Sequence, residues 1–89
     1  MIVRKTTRFK KDVKTLEKRK YDLTKLWEVV DKIANGETLE QSYKDHALNG
    51  EFENCRECHI EPDWLLIYYV DDTELILFLI RSGTHSDLF

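Results

Sequence analysis

Apolar residues recur at helical spacing through the first third of the chain and then change to a spacing of two. Phe9, Val13 and Leu16 stand at i, i+4 and i+7 with lysines on the other faces, the stripe of an amphipathic helix. Thr6 or Thr7 precedes it, and a hydroxyl there accepts from the free amides of a first turn. Asp22 is placed to cap a second helix with Leu23, Leu26, Val30 and Ile33 on its buried side. Asn35-Gly36 ends it, because glycine takes the left-handed conformation without strain. The short link Lys20-Tyr21 folds the two helices back as an antiparallel pair. Ahead of them, residues 2–5 read as a short first strand.

Leu39 and Tyr43 suggest one brief helical turn, and residues 44–50 read as a loop closed by Asn49-Gly50. Residues 51–60 then alternate as a half-exposed strand, with Phe52, Cys58 and Ile60 on one parity and Glu53, Glu57 and His59 on the other. Residues 64–70 and 75–80 are apolar on both parities, as in central strands covered on both faces. Residues 61–63 and 71–73 are hairpin turns, the first stiffened by Pro62, which has no amide to donate to a ladder. The outcome is an α+β fold, an N-terminal helical hairpin packed on a small antiparallel β-sheet. Eighty-nine residues suffice for one domain with a modest core, here residues 1–89.

No apolar run approaches the length of a membrane span. The first residues carry charge at once and lack an apolar signal region, so a cytoplasmic protein with reduced thiols and no membrane contact is expected. The net charge of −3 hides an asymmetry: residues 1–20 carry nine Lys/Arg against two acids, and residues 21–89 five against fifteen. One end attracts polyanions and the other repels them. Lys10, Lys11 and Lys14 permit a nucleic-acid partner, although lysines on a helix more often only solvate it.

Cys55-Arg56-Glu57-Cys58-His59 has the spacing of a c-type haem attachment motif, which three features oppose. No export signal precedes it, Met1 is the sole methionine, and strand residues three apart point to opposite faces. Cys58 reads as core and Cys55 as an ordinary thiol, and no cofactor is expected. His46, His59 and His85, with Asp63 and Arg81, lie at strand–loop borders and form the candidate site. A pair of imidazoles can serve as base and acid in one turnover, and a guanidinium suits a phosphate whose charge grows in the transition state. That is the equipment of metal-independent RNA cleavage; the same histidines and Asp63 are equally possible ligands for a divalent cation. Trp64 and Phe89 are placed to stack on bases, and the Glu51, Glu53, Glu57, Glu61 row reads as a solvated strand face.

Three blocks carry a resemblance: Lys44-Asp45-His46-Ala47-Leu48-Asn49-Gly50, then residues 57–68, then Arg81-Ser82-Gly83-Thr84-His85-Ser86-Asp87-Leu88-Phe89. Together they resemble the YafQ branch of the RelE/ParE toxin superfamily, with Ala47 where a proline is frequent. The resemblance implies a type II toxin, a ribosome-dependent mRNA endoribonuclease neutralised by an antitoxin of DinJ-like, ribbon-helix-helix type. It puts the catalytic group on His46, His59, Asp63, Arg81 and His85, with Trp64 and Phe89 toward RNA; Lys44 and, from the charge asymmetry, the helix lysines Lys10, Lys11 and Lys14 are expected to join them as RNA contacts. In those roles His85 donates a proton to the leaving 5′-oxygen, His46, His59 or Asp63 takes the 2′-hydroxyl proton, and Arg81 steadies the phosphorane. The rival within the superfamily is a ParE-like gyrase inhibitor, which needs no histidines; a non-catalytic module that only binds antitoxin is the third reading.

Overall fold

The computed structural model describes all 89 residues. The chain runs β1 (Ile2–Lys5), α1 (Thr7–Lys18), α2 (Leu23–Ala34), a 3₁₀ turn (Gln41–Tyr43), β2 (His46–Ala47), a second 3₁₀ turn (Gly50–Phe52), β3 (Arg56–Glu61), β4 (Trp64–Asp71), β5 (Ile76–Gly83) and α3 (His85–Leu88). The two long helices begin and end where their caps require. Thr6 Oγ1 accepts the Phe9 amide at 3.0 Å and donates to the Ile80 carbonyl at 2.8 Å, which ties the start of α1 to β5. Asp22 accepts the Thr24 amide at 3.1 Å, and Gly36, at φ +77°, closes α2. Between the helices Lys20 takes the left-handed conformation, φ +64°, and the Tyr21 amide reaches back to the Leu16 carbonyl at 3.1 Å.

The five strands lie in the order β1-β5-β4-β3-β2. Three of the four pairings are antiparallel, but β1 runs parallel to β5 with Ile2 opposite Ile76, so the sheet is mixed rather than wholly antiparallel. The helices cover one face. Phe9 and Leu16 of α1 and Leu26, Val29, Val30 and Ile33 of α2 pack on Cys58, Trp64, Leu66, Tyr68, Leu77 and Leu79. On the other face Phe52, Leu65, Ile67 and Leu88 form a smaller cluster. The double apolar parity of β4 therefore has the expected cause, a cover on each side.

Residues 51–60 depart from the expected strand. A 3₁₀ turn and Asn54 at φ +72° break the alternation, and β3 starts only at Arg56. Phe52 consequently packs on the face opposite Cys58 and Ile60. The expected loop at 44–50 contains a two-residue strand, His46–Ala47, paired with Glu57 and Arg56.

Trp64, expected to stack on RNA, is 1% exposed. Its indole Nε1–H donates to Ser82 Oγ at 3.0 Å and its ring meets Tyr21 edge-on. It sits in the helix-side core, so its ring is not presented to solvent for stacking.

Candidate active site

Strand alternation decides what gathers on the face away from the helices. Glu57 and His59 of β3 lie opposite Ile67 and Leu65 of β4, and His46 lies opposite Glu57 across the β2–β3 ladder. Cross-strand partners share a face, so His46, Glu57 and His59 stand together there. The Pro62-Asp63 turn and α3 close one end of the group and bring His85 beside it. Ring centroids are 6.5 Å apart for His46 and His59 and 5.8 Å for His59 and His85.

Each imidazole has its Nδ1 against an oxygen. His46 Nδ1 is 2.7 Å from the Lys44 carbonyl, His59 Nδ1 is 3.2 Å from the Pro62 carbonyl, and His85 Nδ1 is 2.7 Å from Asp63 Oδ1. Carbonyls and ionised carboxylates only accept, so these contacts put the proton on Nδ1 and leave Nε2 as the working nitrogen in all three rings. The Nε2 atoms of His46 and His59 each lie 3.8 Å from an oxygen of Glu57.

Glu57 itself is 4% exposed. The expected solvated row of glutamates breaks at this residue, whose carboxylate oxygens lie beside the His46 and His59 rings. Its shared parity with His59 was the available signal.

Asp63 Oδ1 also accepts the His85 amide at 3.0 Å. That backbone donor, followed by the imidazole, holds the Asp63 carboxyl below its ordinary value, which keeps it ionised beside His85. The loop bearing His46 is fixed from below. Arg56 Nε donates to Asp45 at 2.6 Å and the Tyr68 hydroxyl donates to the same carboxylate. A recess of about 340 Å³ lined by Ser42, Tyr43, Lys44, His59 and Pro62 opens next to His59.

Arg81 lies opposite Ile67 across the β4–β5 ladder, so by the same rule it stands on the sheet face of Glu57 and His59, but its guanidinium is turned to α1 at the strand edge. There its Nε and Nη2 donate to both oxygens of Asp12 at 2.8 and 2.9 Å, and the Ser82 amide donates to Asp12 as well, at 3.0 Å. The cavity it lines contains no histidine. His46, His59, Asp63 and His85 thus come together with Glu57, while the Arg81 guanidinium is held by Asp12. Of the other candidates, Phe89 is exposed and meets Phe52 edge-on. Lys44, Lys10, Lys11 and Lys14 are exposed, the last three on α1.

Glu57, His59 and His85 each present a ligand atom within 4.8 Å of the others. The donor set of two imidazoles and a carboxylate fits a first-row divalent cation.

Imidazoles gathered around a buried carboxylate on an α+β sheet are equipment for acid–base chemistry such as a nuclease uses, and comparison with known proteins narrows the class. The family model for the bacterial toxin of type II toxin–antitoxin systems, YafQ, matches residues 1–89. This chain belongs to that family. It is 42% identical over 82 residues to the mRNA interferase toxin YafQ of Escherichia coli K12, covering 91% of this chain and 87% of that one. Among solved structures, a metal-bound toxin from Helicobacter pylori superposes with a TM-score of 0.93 at 43% identity, covering 100% of this chain and 99% of that one. The E. coli DinJ–YafQ toxin–antitoxin complex gives a TM-score of 0.88 at 39% identity, covering 98% and 94%.

Proposed function

We propose that this chain is an mRNA interferase, the toxin of a type II toxin–antitoxin pair, neutralised by a DinJ-like antitoxin of ribbon-helix-helix type. Residues 1–89 act as one toxin domain in the cytoplasm, where its substrate is, and it cuts messenger RNA on the ribosome. One observation carries the chemistry: three imidazoles anchored through Nδ1 frame the Glu57 carboxylate on the sheet face away from the two long helices.

In that space the 2′-hydroxyl of the RNA attacks the adjacent phosphorus, and the bond to the 5′-oxygen breaks to leave a 2′,3′-cyclic phosphate. His85 donates the proton to the departing 5′-oxygen, with Asp63 holding its imidazolium. Asp63 spends its Oδ1 on the His85 amide and ring, which suits a residue that orients better than one that abstracts. The base is then His46 or His59, and Glu57 between them stabilises the charge that either gains. Asp12 engages Nε and Nη2 of Arg81, and Nη1 is the donor left for the phosphorane. Phe89 is available to stack on a base, and Lys44 to meet the backbone.

Induction of the chain in bacteria followed by mapping of mRNA ends tests the reading. Breaks within codons are the expected result; DNA damage without such breaks would transfer the chain to the gyrase-inhibitor class. Ribosome co-sedimentation at graded salt reads the basic helix. Reversing Lys10, Lys11 and Lys14 to Glu should weaken ribosome binding and its salt dependence, since each phosphate neutralised releases condensed counterions. Unchanged binding would remove α1 from the RNA interface.

The spacing of Glu57, His59 and His85, together with the metal-bound Helicobacter neighbour, favours a second reading of the same residues. A divalent cation held there would occupy the lone pairs that proton transfer needs, and it would act as an inhibitor. Copper(II), the strongest binder of the divalent series at nitrogen and oxygen sites, should depress cleavage and a chelator should restore it. An undiminished rate at saturating copper would dismiss this reading.

A further inference from the structure

His85 rides on α3, a single helical turn, and a lone turn has no cooperative stability of its own. Its order is imposed by contacts at Asp87. Arg19, the residue capping the C-terminus of α1, donates from Nη1 to Asp87 Oδ2 at 2.7 Å and from Nη2 to Oδ1 at 3.1 Å. Asp87 Oδ2 also accepts the Thr84 amide at 2.9 Å, while Thr84 Oγ1 accepts the Asp87 amide at 3.2 Å, a reciprocal capping box. Gly83 leaves the space: a Cβ there would stand 2.9 Å from Asp87 Oδ2. On the other side of the turn Leu88 is buried against the small apolar cluster, and the His85 amide donates to Asp63.

A bidentate guanidinium–carboxylate pair fixes orientation as well as distance. We propose that Arg19 is a positioning residue for cleavage: through Asp87 it sets the depth and angle of the C-terminal turn, and so the place of His85 against the leaving oxygen. The inference rests on the reading of His85 as proton donor. Arg19 lies 68 residues from Asp87 in sequence; its ion pair is with Asp87, and it lines a surface recess that Asp63 also lines. The bland reading is an ordinary surface ion pair, since 42% of the Arg19 side chain is exposed. Such pairs add little to global stability, which is what separates the two.

Arg19 and the Thr84 amide hold the Asp87 carboxyl well below the usual carboxylate range. For a depressed carboxyl the contribution is complete above the unfolded value, about 4, and fades only as pH falls below it. The pair is therefore closed under all ordinary assay conditions.

The test compares Arg19→Gln, Asp87→Asn, the double variant, Arg19→Lys and His85→Ala on ribosome-bound mRNA. A displacement of about 1 Å at a catalytic group costs on the order of 10²-fold. Each single neutral variant should lose roughly 10- to 100-fold in kcat with KM unchanged. The double variant should lose no more than the worse single, because both act through one contact. Arg19→Lys, with charge but no fork, should fall between. Backbone amide relaxation should show residues 84–89 loosened in Arg19→Gln and the remainder as in the parent, which separates this effect from misfolding.

A native kcat in Arg19→Gln, or a loss confined to KM, overturns the proposal, the latter by making Arg19 an RNA contact. An active Arg19→Gln beside an inactive His85→Ala would sink the positioning role alone. An active His85→Ala would remove the donor assignment and, with it, the route by which Arg19 acts.

Discussion

Replacing His85 by alanine should lower the cleavage rate by about 10²–10⁴-fold, the usual contribution of general acid–base catalysis, and leave the fold intact. The side chain is 55% exposed, so its removal opens no cavity in the core. The first contributor to the lowered Asp63 carboxyl is the His85 backbone amide, which alanine keeps. The turn and its carboxylate therefore remain in place while the proton donor alone is lost. The measurement is single-turnover cleavage of ribosome-bound mRNA, paired with a thermal melt. A variant that melts like the parent and still cuts at the parent's rate would take the donor role from His85.

Trp64→Ala should have the opposite signature, unfolding first and catalysis second. Trp64 is the largest fully buried side chain, and its removal from a core of this kind costs about 3–5 kcal/mol. The indole also holds Ser82, whose Oγ accepts from Trp64 Nε1 and donates to the Leu65 carbonyl at 2.8 Å. Truncation leaves that buried hydroxyl one partner short. Domains of this size are stable by only about 5–15 kcal/mol, so the loss takes a large share of the total. Urea unfolding should show a much lower midpoint with an unchanged slope. A parent-like midpoint with impaired cleavage would instead return Trp64 to the RNA.

What the chain discloses in advance is what local rules govern. The stripe of Phe9 and Leu16, the Thr6 and Asp22 caps and Gly36 are each legible within a few residues, and both helices stand where those residues put them. So are the hairpin around Pro62 and the apolar strands after it. Contacts made across long stretches of sequence are not legible. Nothing near Ile2 announces a parallel partner at Ile76, and nothing near Arg81 announces Asp12, so the guanidinium expected at the phosphate is found paired with a carboxylate of α1. Short elements fail for another reason: a two-residue strand such as His46–Ala47 and a one-turn helix such as α3 carry no period to detect. The histidines were visible as a residue type without their carboxylate, because alternation records which face Glu57 takes but not what covers it.

The parallel pairing of Ile2–Lys5 with Ile76–Gly83 also bears on the order in which the fold forms. The helices and the β3–β4 and β4–β5 hairpins close between neighbours in sequence, whereas this edge joins Ile2 to Ile76, and pairings between such distant stretches form slowly. Amide protection of residues 2–5 is therefore expected to arrive after that of the helices and the hairpins.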